Sequence, residues 1–339
     1  MAPRPVFAAT HPRACSTAFE RVFMTRRDVL DSQHEPFGDA FYFGPEFLSD
    51  RFRHDEAARK ASAESHRTYK SILDHFGEVE KQVRLLLCRS LAPKRGGRLI
   101  QCPNLVPLPC FGKRVFIKDM AYYLFPPPGR PAAIAPSLGG GEEPGNPTVL
   151  PLDVLRKFHF TFLIRHPRRS IPSFYRCITP PLSDVTGWTT FMPSEAGYEE
   201  LVRLFDFLLK EGIVDRDHLT VVDADDLLDN PEETIRQYCD RTGIDFDPGM
   251  LVWDQADQDH AAKLFAKWDG FHNDVLGSSR LHARTHAQVG TATDKTSTVE
   301  SENEEWTKAY GPEAQKLIRQ CVDANIPNYE YLKQFCFKV

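Results

Sequence analysis

Four short apolar runs constrain the fold of this 339-residue chain more than any other feature. They cover residues 5–10, 115–118, 160–164 and 219–223. The third run reads FTFLI, and such nearly continuous apolar character is typical of a strand in a parallel sheet that helices cover on both faces. A helical pattern follows the first run at 16–26, and another opens at Asn230-Pro231 and stops near Gly243. The sequence therefore predicts an α/β protein with three layers around a central parallel sheet.

Three further stretches are predicted to surround this sheet. Residues 55–91 are charged and alanine-rich with apolar positions at helical spacing, which indicates one or two surface helices. Residues 28–45 are rich in aromatic side chains, and we expect an irregular segment there. Residues 126–150 are rich in proline and glycine, which indicates an exposed insertion. Because the apolar strands on both sides of the insertion look like neighbours, we predict one domain over residues 1–339.

The C-terminal part gives weaker signals. Residues 282–304 are polar and rich in serine and threonine, and we expect a mobile loop there before final helices around 312–325. Arg280, His282, Arg284 and His286 lie at the start of this stretch.

Charge and cysteine content exclude several classes of protein. The 42 Lys+Arg and 47 Asp+Glu give a net charge of -5, which provides no general attraction to nucleic acid or to an anionic membrane surface. The eight cysteines contain no C-x-x-C pair, so their spacing encodes neither a zinc module nor a disulfide framework. With no signal peptide and no apolar run of about 18 residues, we expect a cytoplasmic protein.

The turn after the first strand reads HPRACST over residues 11–17. At the start of a helix, unpaired backbone N–H groups and the positive end of the helix dipole favour a bound anion. Arg13, Ser16 and Thr17 would add side-chain donors. The turn lacks the glycines and the terminal Lys-Ser/Thr of a nucleotide-hydrolase loop. The alternative is a capped helix in which the two hydroxyls serve only the backbone.

A second basic turn follows the third strand. Residues 165–176 carry four arginines and no acid. If a helix starts near Pro167, Ser173 lies within its first two turns, and Arg165 at the strand end could reach the same anion. The alternative is a solvated basic helix paired with acids elsewhere. Because ligands bind at the carboxyl ends of strands in open α/β sheets, the two turns together indicate a ligand with two phosphate-like ends.

These turns resemble two motifs of the sulfotransferase family. Pro12–Thr17 is similar to the family's 5′-phosphosulfate loop, with Ala14 and Cys15 where Ser-Gly is usual. Arg165, followed eight positions later by Ser173, is similar to the 3′-phosphate motif. Residues 222–243 resemble the family's strand and its acidic helix start that contains Asn-Pro.

The resemblance implies a P-loop-related fold and a set of donor-binding residues. The donor would be 3′-phosphoadenosine 5′-phosphosulfate (PAPS), with 3′-phosphoadenosine 5′-phosphate (PAP) as product and no metal. The residues that match the donor motifs are Arg13, Ala14, Cys15, Ser16, Thr17, Arg165 and Ser173. In many members a basic C-terminal loop also covers the nucleotide, a role open to the residues between Arg280 and His286, although a polar loop is the simpler interpretation.

The general base is less well marked. Cytosolic members often place a histidine after the strand that resembles 115–118, but here the sequence reads Lys118-Asp119-Met120. A subgroup that acts on carbohydrate hydroxyls uses a glutamate shortly after the first helix, the place that Glu35 occupies. We expect Glu35 to be the base, with His34 and Asp119 as alternatives. The aromatic residues of 37–43, together with Tyr122 and Tyr123, would either line an acceptor pocket or belong to the core.

The resemblance thus predicts transfer of a sulfuryl group to the hydroxyl of a small-molecule acceptor, an enzyme of specialised metabolism among the options. Arg13 would neutralise charge on the leaving oxygen. The acceptor, its O or N atom, the fate of the sulfate ester by elimination or cyclisation, and the choice between monomer and homodimer stay open. The competing classes are a catalytically silent nucleotide-binding or interaction protein and a P-loop phosphotransferase, which would need a lysine loop and a Mg-binding pair.

Overall fold

A computed structural model describes residues 3–90, 113–284 and 298–339. It contains a five-stranded sheet in which every paired strand is parallel, in the order β2-β3-β1-β4-β5. The strands are β1 (Val6–Thr10), β2 (Leu30–His34), β3 (Arg114–Met120), β4 (His159–Ile164) and β5 (Val221–Asp223). The strands on the two sides of the proline-rich insertion, β3 and β4, both pair with β1.

Helices follow the strands and cover the sheet. The α-helices are α1 (Ser16–Met24), α2 (Pro36–Tyr42), α3 (Glu56–Ala61), α4 (Tyr69–Ser90), α5 (Leu152–Leu155), α6 (Pro167–Cys177), α7 (Leu182–Thr186), α8 (Tyr198–Lys210), α9 (Ala224–Asp229), α10 (Pro231–Thr242), α11 (Gln255–Phe265), α12 (Asn273–Leu276), α13 (Val299–Tyr310) and α14 (Pro312–Lys333). Within the described ranges, no helix combines the length and apolar character needed to span a membrane.

Alternate residues of the central strand β1 separate two hydrophobic cores. Phe7 and Ala9 belong to the core on one face of the sheet, whereas Val6 and Ala8 belong to the core on the other face. All four are buried, as successive strand side chains on opposite faces must be when helices cover both sides. The predicted three-layer α/β fold is confirmed.

The prediction of an irregular segment over residues 28–45 is wrong. The chain forms edge strand β2 and then helix α2. The sequence of β2, LDSQH, shows no apolar alternation, and it is held by its pairing with β3. A polar strand of this kind is stabilised by a partner that is distant in sequence, so its local pattern carries little signal.

Two other predicted boundaries need correction. The 126–150 insertion is not wholly exposed, because Ala135 and Val149 are buried and the Val149 N–H donates to Leu124 O at 2.9 Å. The predicted mobile loop over 282–304 ends early, since Thr298 caps α13 by accepting a hydrogen bond from the Ser301 N–H. Residues 285–297 lie outside the described residues.

The aromatic packing of β1 generates a stability prediction. Phe7 is fully buried, and its ring lies 5.1 Å from that of Phe160 and 5.7 Å from that of Phe158. Phe7→Ala should lower the free energy of unfolding by about 3–5 kcal/mol, because the substitution leaves a cavity in the core. Urea denaturation followed by circular dichroism measures this loss. Leu317→Ala, at a 47% exposed position, is the control and should stay within about 0.5 kcal/mol.

Candidate functional site

The strand ends surround a cavity of ≈ 570 Å³. Residues that follow three of the strands, and one that ends a fourth, line it: Arg13 and Thr17 after β1, Glu35 after β2, Arg165 after β4, and Met120 at the end of β3. Neighbouring parallel strands that end together produce such a crevice at their carboxyl edge.

The first turn has the backbone of an anion cradle. Cys15 is the N-cap of α1 and makes no side-chain cap hydrogen bond, which leaves the first amides of the helix available. Ser16 and Thr17 are buried and line the cavity, whereas Ala14 is fully buried in the core beneath.

Three residues at this cavity adopt a left-handed backbone conformation that L-residues rarely adopt. Arg13, Cys15 and Glu35 have φ of 61°, 58° and 45°. All three line the cavity. A non-glycine residue in this region costs about 1–3 kcal/mol and persists where the surrounding structure fixes it, as at functional sites.

The two basic turns contact each other directly. Arg13 Nε donates to Ser173 Oγ at 3.0 Å, and Arg165 Nη1 donates to Arg13 O at 3.1 Å. The Arg165 N–H also donates to the His11 ring at 3.0 Å, which fixes the start of the second turn against the first. The two basic turns therefore meet at one edge of the cavity.

Some arginines of the second turn contact acidic side chains, whereas one nitrogen of Arg165 has no acceptor among the described residues. Arg176 donates to Asp274 at 2.7 Å, and Arg168 lies 3.6 Å from Glu302. The buried Nε of Arg165 makes no hydrogen bond within the described ranges. A buried guanidinium N–H without an acceptor is suited to bind an anionic group. The hydrogen-bond donors of this turn therefore fit a phosphate.

Aromatic side chains also line the cavity. Tyr122, Tyr123, Trp188, Trp268 and Phe271 line it. Phe37 and Phe41 instead pack in the hydrophobic core. The aromatic residues near 122 thus reach the cavity, and these two from the 37–43 segment do not line it.

The three predicted candidates for the base occupy different environments. Glu35 lines the cavity, and its Oε1 accepts a hydrogen bond from Lys118 Nζ. Asp119 is fully buried and accepts the Phe37 N–H at 2.8 Å, so it holds the start of α2 and does not line the cavity. His34 is buried behind the cavity wall, 3.9 Å from Glu35.

A buried polar chain lies behind Glu35 and includes two residues that the motifs do not mark. Thr17 Oγ1 lies 2.9 Å from His272 Nδ1, His272 Nε2 lies 3.2 Å from His34 Nε2, and His34 Nδ1 lies 2.7 Å from Glu20 Oε2. Burial lowers the pKa of both histidines well below the usual value, and the Lys118 charge adds to this effect. Burial raises the pKa of Glu20 to about 8 against the opposing charge of Lys118.

One sequence signal could have revealed part of this chain. Glu20 follows Phe19 and precedes Val22 and Phe23, so it interrupts the apolar pattern of α1, and Lys118 likewise ends an apolar strand run. Charged residues at core positions are rare unless paired. His272 has no such signal, since its segment matches no motif.

The same cluster contains potential metal ligands. One atom each of His34, Glu35 and His272 lies within 4.8 Å of the others. However, Lys118 Nζ donates a hydrogen bond to Glu35 Oε1, and the two histidine Nε2 atoms face each other at hydrogen-bond distance. We therefore describe the cluster as a hydrogen-bonded network.

The basic residues proposed near the C-terminus lie elsewhere. Arg284 pairs with Asp225 at 3.2 Å and with Asp229 at 2.6 Å, and neither Arg280 nor His282 lines the cavity. His286 lies outside the described residues. The cavity is instead bordered by Phe271, Asp274 and, from α13, Trp306.

Comparison with known proteins tests the resemblance. A family model described as a sulfotransferase domain matches residues 204–285. Sulfotransferase ppzF of Metarhizium majus is 27% identical over 250 residues, covering 66% of this chain and 69% of the relative. Its counterpart from Metarhizium rileyi is 26% identical over 255 residues, with the same coverage of 66% and 69%. The resemblance to the sulfotransferase family is confirmed.

The sulfotransferase domain from the curacin biosynthetic pathway is 16% identical, covers 91% of this chain and 98% of its own, and aligns with a TM-score of 0.42.

The left-handed backbone at Cys15 generates a second stability prediction. Cys15→Val should lower the free energy of unfolding by about 1–2 kcal/mol, because a β-branched side chain is strained at positive φ. Cys15→Gly should be the more stable of the two variants, since glycine adopts this conformation without a Cβ penalty. Urea denaturation measures both.

An exposed helical alanine provides the control for this pair. Ala57 lies in α3, where glycine should cost about 0.5–1 kcal/mol relative to alanine and valine less. The order of the two substitutions is therefore expected to reverse between the sites. Equal stability of Cys15→Val and Cys15→Gly would contradict the strain at Cys15.

Proposed function

We propose that this chain, as a single domain, is a sulfotransferase that moves a sulfuryl group from PAPS to a hydroxyl of a small-molecule acceptor. The observation that carries the proposal is the direct contact of the two basic turns, Arg13 Nε to Ser173 Oγ, at the edge of an aromatic-walled cavity. The family match and the names of the curated relatives support it.

The donor is assigned to the arginine side of the cavity. The first amides of α1, with the hydroxyls of Ser16 and Thr17, would hold the 5′-phosphosulfate, as anions bind at helix N-termini. Arg165 and Ser173 would hold the 3′-phosphate. The Arg165 Nε, which has no protein partner within the described ranges, would donate to it. When bound, the donor supplies a sulfuryl group on a phosphate leaving group.

Arg13 is the residue to which we assign the stabilisation of the leaving phosphate. Its Nε is tied to Ser173, and its Nη1 donates to Phe271 O, so the guanidinium is oriented before any ligand enters. A donor that is fixed in advance needs no reorganisation when negative charge develops on the leaving oxygen. The remaining N–H groups of Arg13 can therefore stabilise the transition state.

Glu35 is the proposed base. In the transfer, the acceptor oxygen forms a bond to sulfur, the bond between sulfur and the phosphate oxygen breaks, and the acceptor proton moves to the Glu35 carboxylate. Lys118 holds Oε1, and Lys267 donates to the Glu35 backbone oxygen at 2.9 Å, so the side chain is positioned from both ends. General-base catalysis of this kind contributes about 10²–10⁴-fold to rate.

Donor binding gives the first test. We expect calorimetry to detect PAP binding that is tighter than ATP binding, and Arg165→Ala to weaken PAP binding at least about tenfold by removing hydrogen bonds to a charged phosphate. Arg280→Ala, outside the cavity lining, is the control and should bind as the wild type does. A preference for ATP would refute the proposal and favour a phosphotransferase.

Arg13→Ala tests the stabilisation of the leaving group. We expect turnover to fall by about 10²–10³-fold or more, because an oriented donor to developing charge is lost. Release of PAP from PAPS in the presence of a panel of alcohols measures turnover, and circular dichroism checks that the variant is folded. Near-normal turnover would remove Arg13 from the mechanism.

Glu35→Gln separates donor binding from transfer. The variant should bind PAP with wild-type affinity yet release PAP at least about 10²-fold more slowly, since the amide cannot accept the acceptor proton. Glu232→Gln, on the exposed face of α10, controls for the loss of one carboxylate. Full activity of Glu35→Gln would transfer the role to another group at the cavity.

PAP binding by the wild type without turnover on any acceptor would favour the silent nucleotide-binding protein.

A further inference from the structure

A hydrogen-bonded chain links the proposed donor site to a buried carboxyl group on α1. It runs from the Thr17 hydroxyl through the rings of His272 and His34 to Glu20, with consecutive separations of 2.9, 3.2 and 2.7 Å. All four residues are buried. Thr17 and His272 line the cavity, whereas His34 and Glu20 do not.

The chain can have one of two directions. The two histidine Nε2 atoms face each other, so one of them carries a proton and the other accepts it. If His34 is protonated at Nε2, His272 must be protonated at Nδ1 and donates to Thr17. If His34 is protonated at Nδ1 instead, His272 carries its proton on Nε2 and accepts from the Thr17 hydroxyl.

The state of Glu20 selects between these directions, because Glu20 Oε2 faces His34 Nδ1. A protonated carboxyl donates to Nδ1 and forces the proton of His34 onto Nε2. An ionised carboxylate accepts from Nδ1 and reverses every bond in the chain. The direction of the hydrogen bond at Thr17 therefore depends on the protonation of Glu20, which acts through the two histidine rings between them.

The burial of Glu20 and its incomplete hydrogen bonding favour the protonated carboxyl, although two lysines lie nearby. Lys118 on β3 is 3.5 Å from Glu20 but forms the closer contact with Glu35, so its one charge is already matched. Lys267 lies 3.1 Å from Asp39. Glu20 Oε1 is buried and, among the described residues, makes no hydrogen bond, which would be costly for an ionised carboxylate.

We propose that Glu20, His34 and His272 are positioning residues that orient the Thr17 hydroxyl so that it donates its proton to the anion held by the first turn. The inference rests on the proposed function, which places the donor's 5′ group there. His272 supplies a hydrogen to the Thr17 oxygen, and the Thr17 hydrogen is thereby directed into the cavity.

The pH dependence of donor binding follows from this arrangement. Burial, together with the Glu35 charge, raises the pKa of Glu20 to about 8, while Lys118 and Lys267 oppose the shift. Below that pH Glu20 is protonated and Thr17 donates to the anion. As pH rises through about 8, the chain reverses, Thr17 donates to His272, and its lone pairs face the anion. Affinity for PAP should therefore fall on the alkaline side.

Nitrogen NMR of the full chain with ¹⁵N-labelled histidine tests the direction without any ligand. At pH 7 we expect the proton on Nε2 of His34 and on Nδ1 of His272, with signals assigned through His34→Asn and His272→Asn variants. Protons on Nδ1 of His34 and Nε2 of His272 would overturn the proposal. This result does not depend on whether PAP binds, so it is separate from failure of the proposed function.

Calorimetry of PAP binding at pH 7 and pH 9.5 tests the consequence. Cys15 is replaced by serine in every protein compared, so that a thiol in the same loop does not contribute to the pH dependence. In this reference protein the Kd should rise about tenfold between the two pH values, as expected for loss of one hydrogen bond to a charged group. In Glu20→Gln the ratio of the two Kd values should fall toward one, because an amide does not ionise.

Substitutions at Thr17 provide a second, independent readout. Thr17→Val keeps the side-chain shape but removes the hydroxyl, and should also bring the ratio toward one. Thr17→Ser, which keeps the hydroxyl, should preserve the roughly tenfold ratio. An unchanged ratio in both Glu20→Gln and Thr17→Val would overturn the proposal. Absence of PAP binding at either pH would refute the proposed function instead, and the NMR result would then decide the direction of the chain by itself.

Discussion

Parallel pairing of β1 with both β3 and β4 is the constraint on which the candidate site depends. Thr10 at the end of β1 aligns with Met120 on one side and with Leu163 on the other. The turns that follow these strands therefore leave the sheet at the same edge, and residues about 150 positions apart, such as Arg165 and Arg13, come into hydrogen-bond contact. No local interaction could achieve this, so the sheet register determines the position of the proposed donor site.

The sequence predicts the parts of this arrangement that local patterns encode. Apolar runs and helix start signals predict four of the strands and the helices α1 and α10, because core burial imposes those patterns. The turns around Arg13 and Arg165 were recognisable for the same reason, since they follow buried strands directly. By contrast, β2 is polar and is held by β3, and His272 reaches Thr17 across 255 positions through tertiary packing. Such contacts leave no periodic trace in a single sequence.

The buried charges around Lys118 are difficult to explain by stability. Lys118 is fully buried and pairs with the buried Glu35, and replacing buried ion pairs by apolar side chains is often neutral or stabilising. The cluster contacts the cavity through Glu35 and Thr17, both of which the proposed mechanism uses. Its cost is therefore consistent with a role in orienting these two groups, and the hydrogen bonds within it restrict each side chain to few orientations.

Backbone strain occurs at the same edge of the sheet as these buried charges. Local preference and global structure usually agree in a protein, and they conflict mainly where function requires it. Cys15 illustrates this conflict. It stands where the similar sulfotransferase loop usually has glycine, yet its φ is 58°, a conformation that glycine adopts readily. The departure therefore changes the energetic cost of the turn more than its shape. Arg13, two residues earlier, shares the same left-handed conformation and still reaches Ser173. A loop without its usual glycine can thus retain the geometry that an anion site requires.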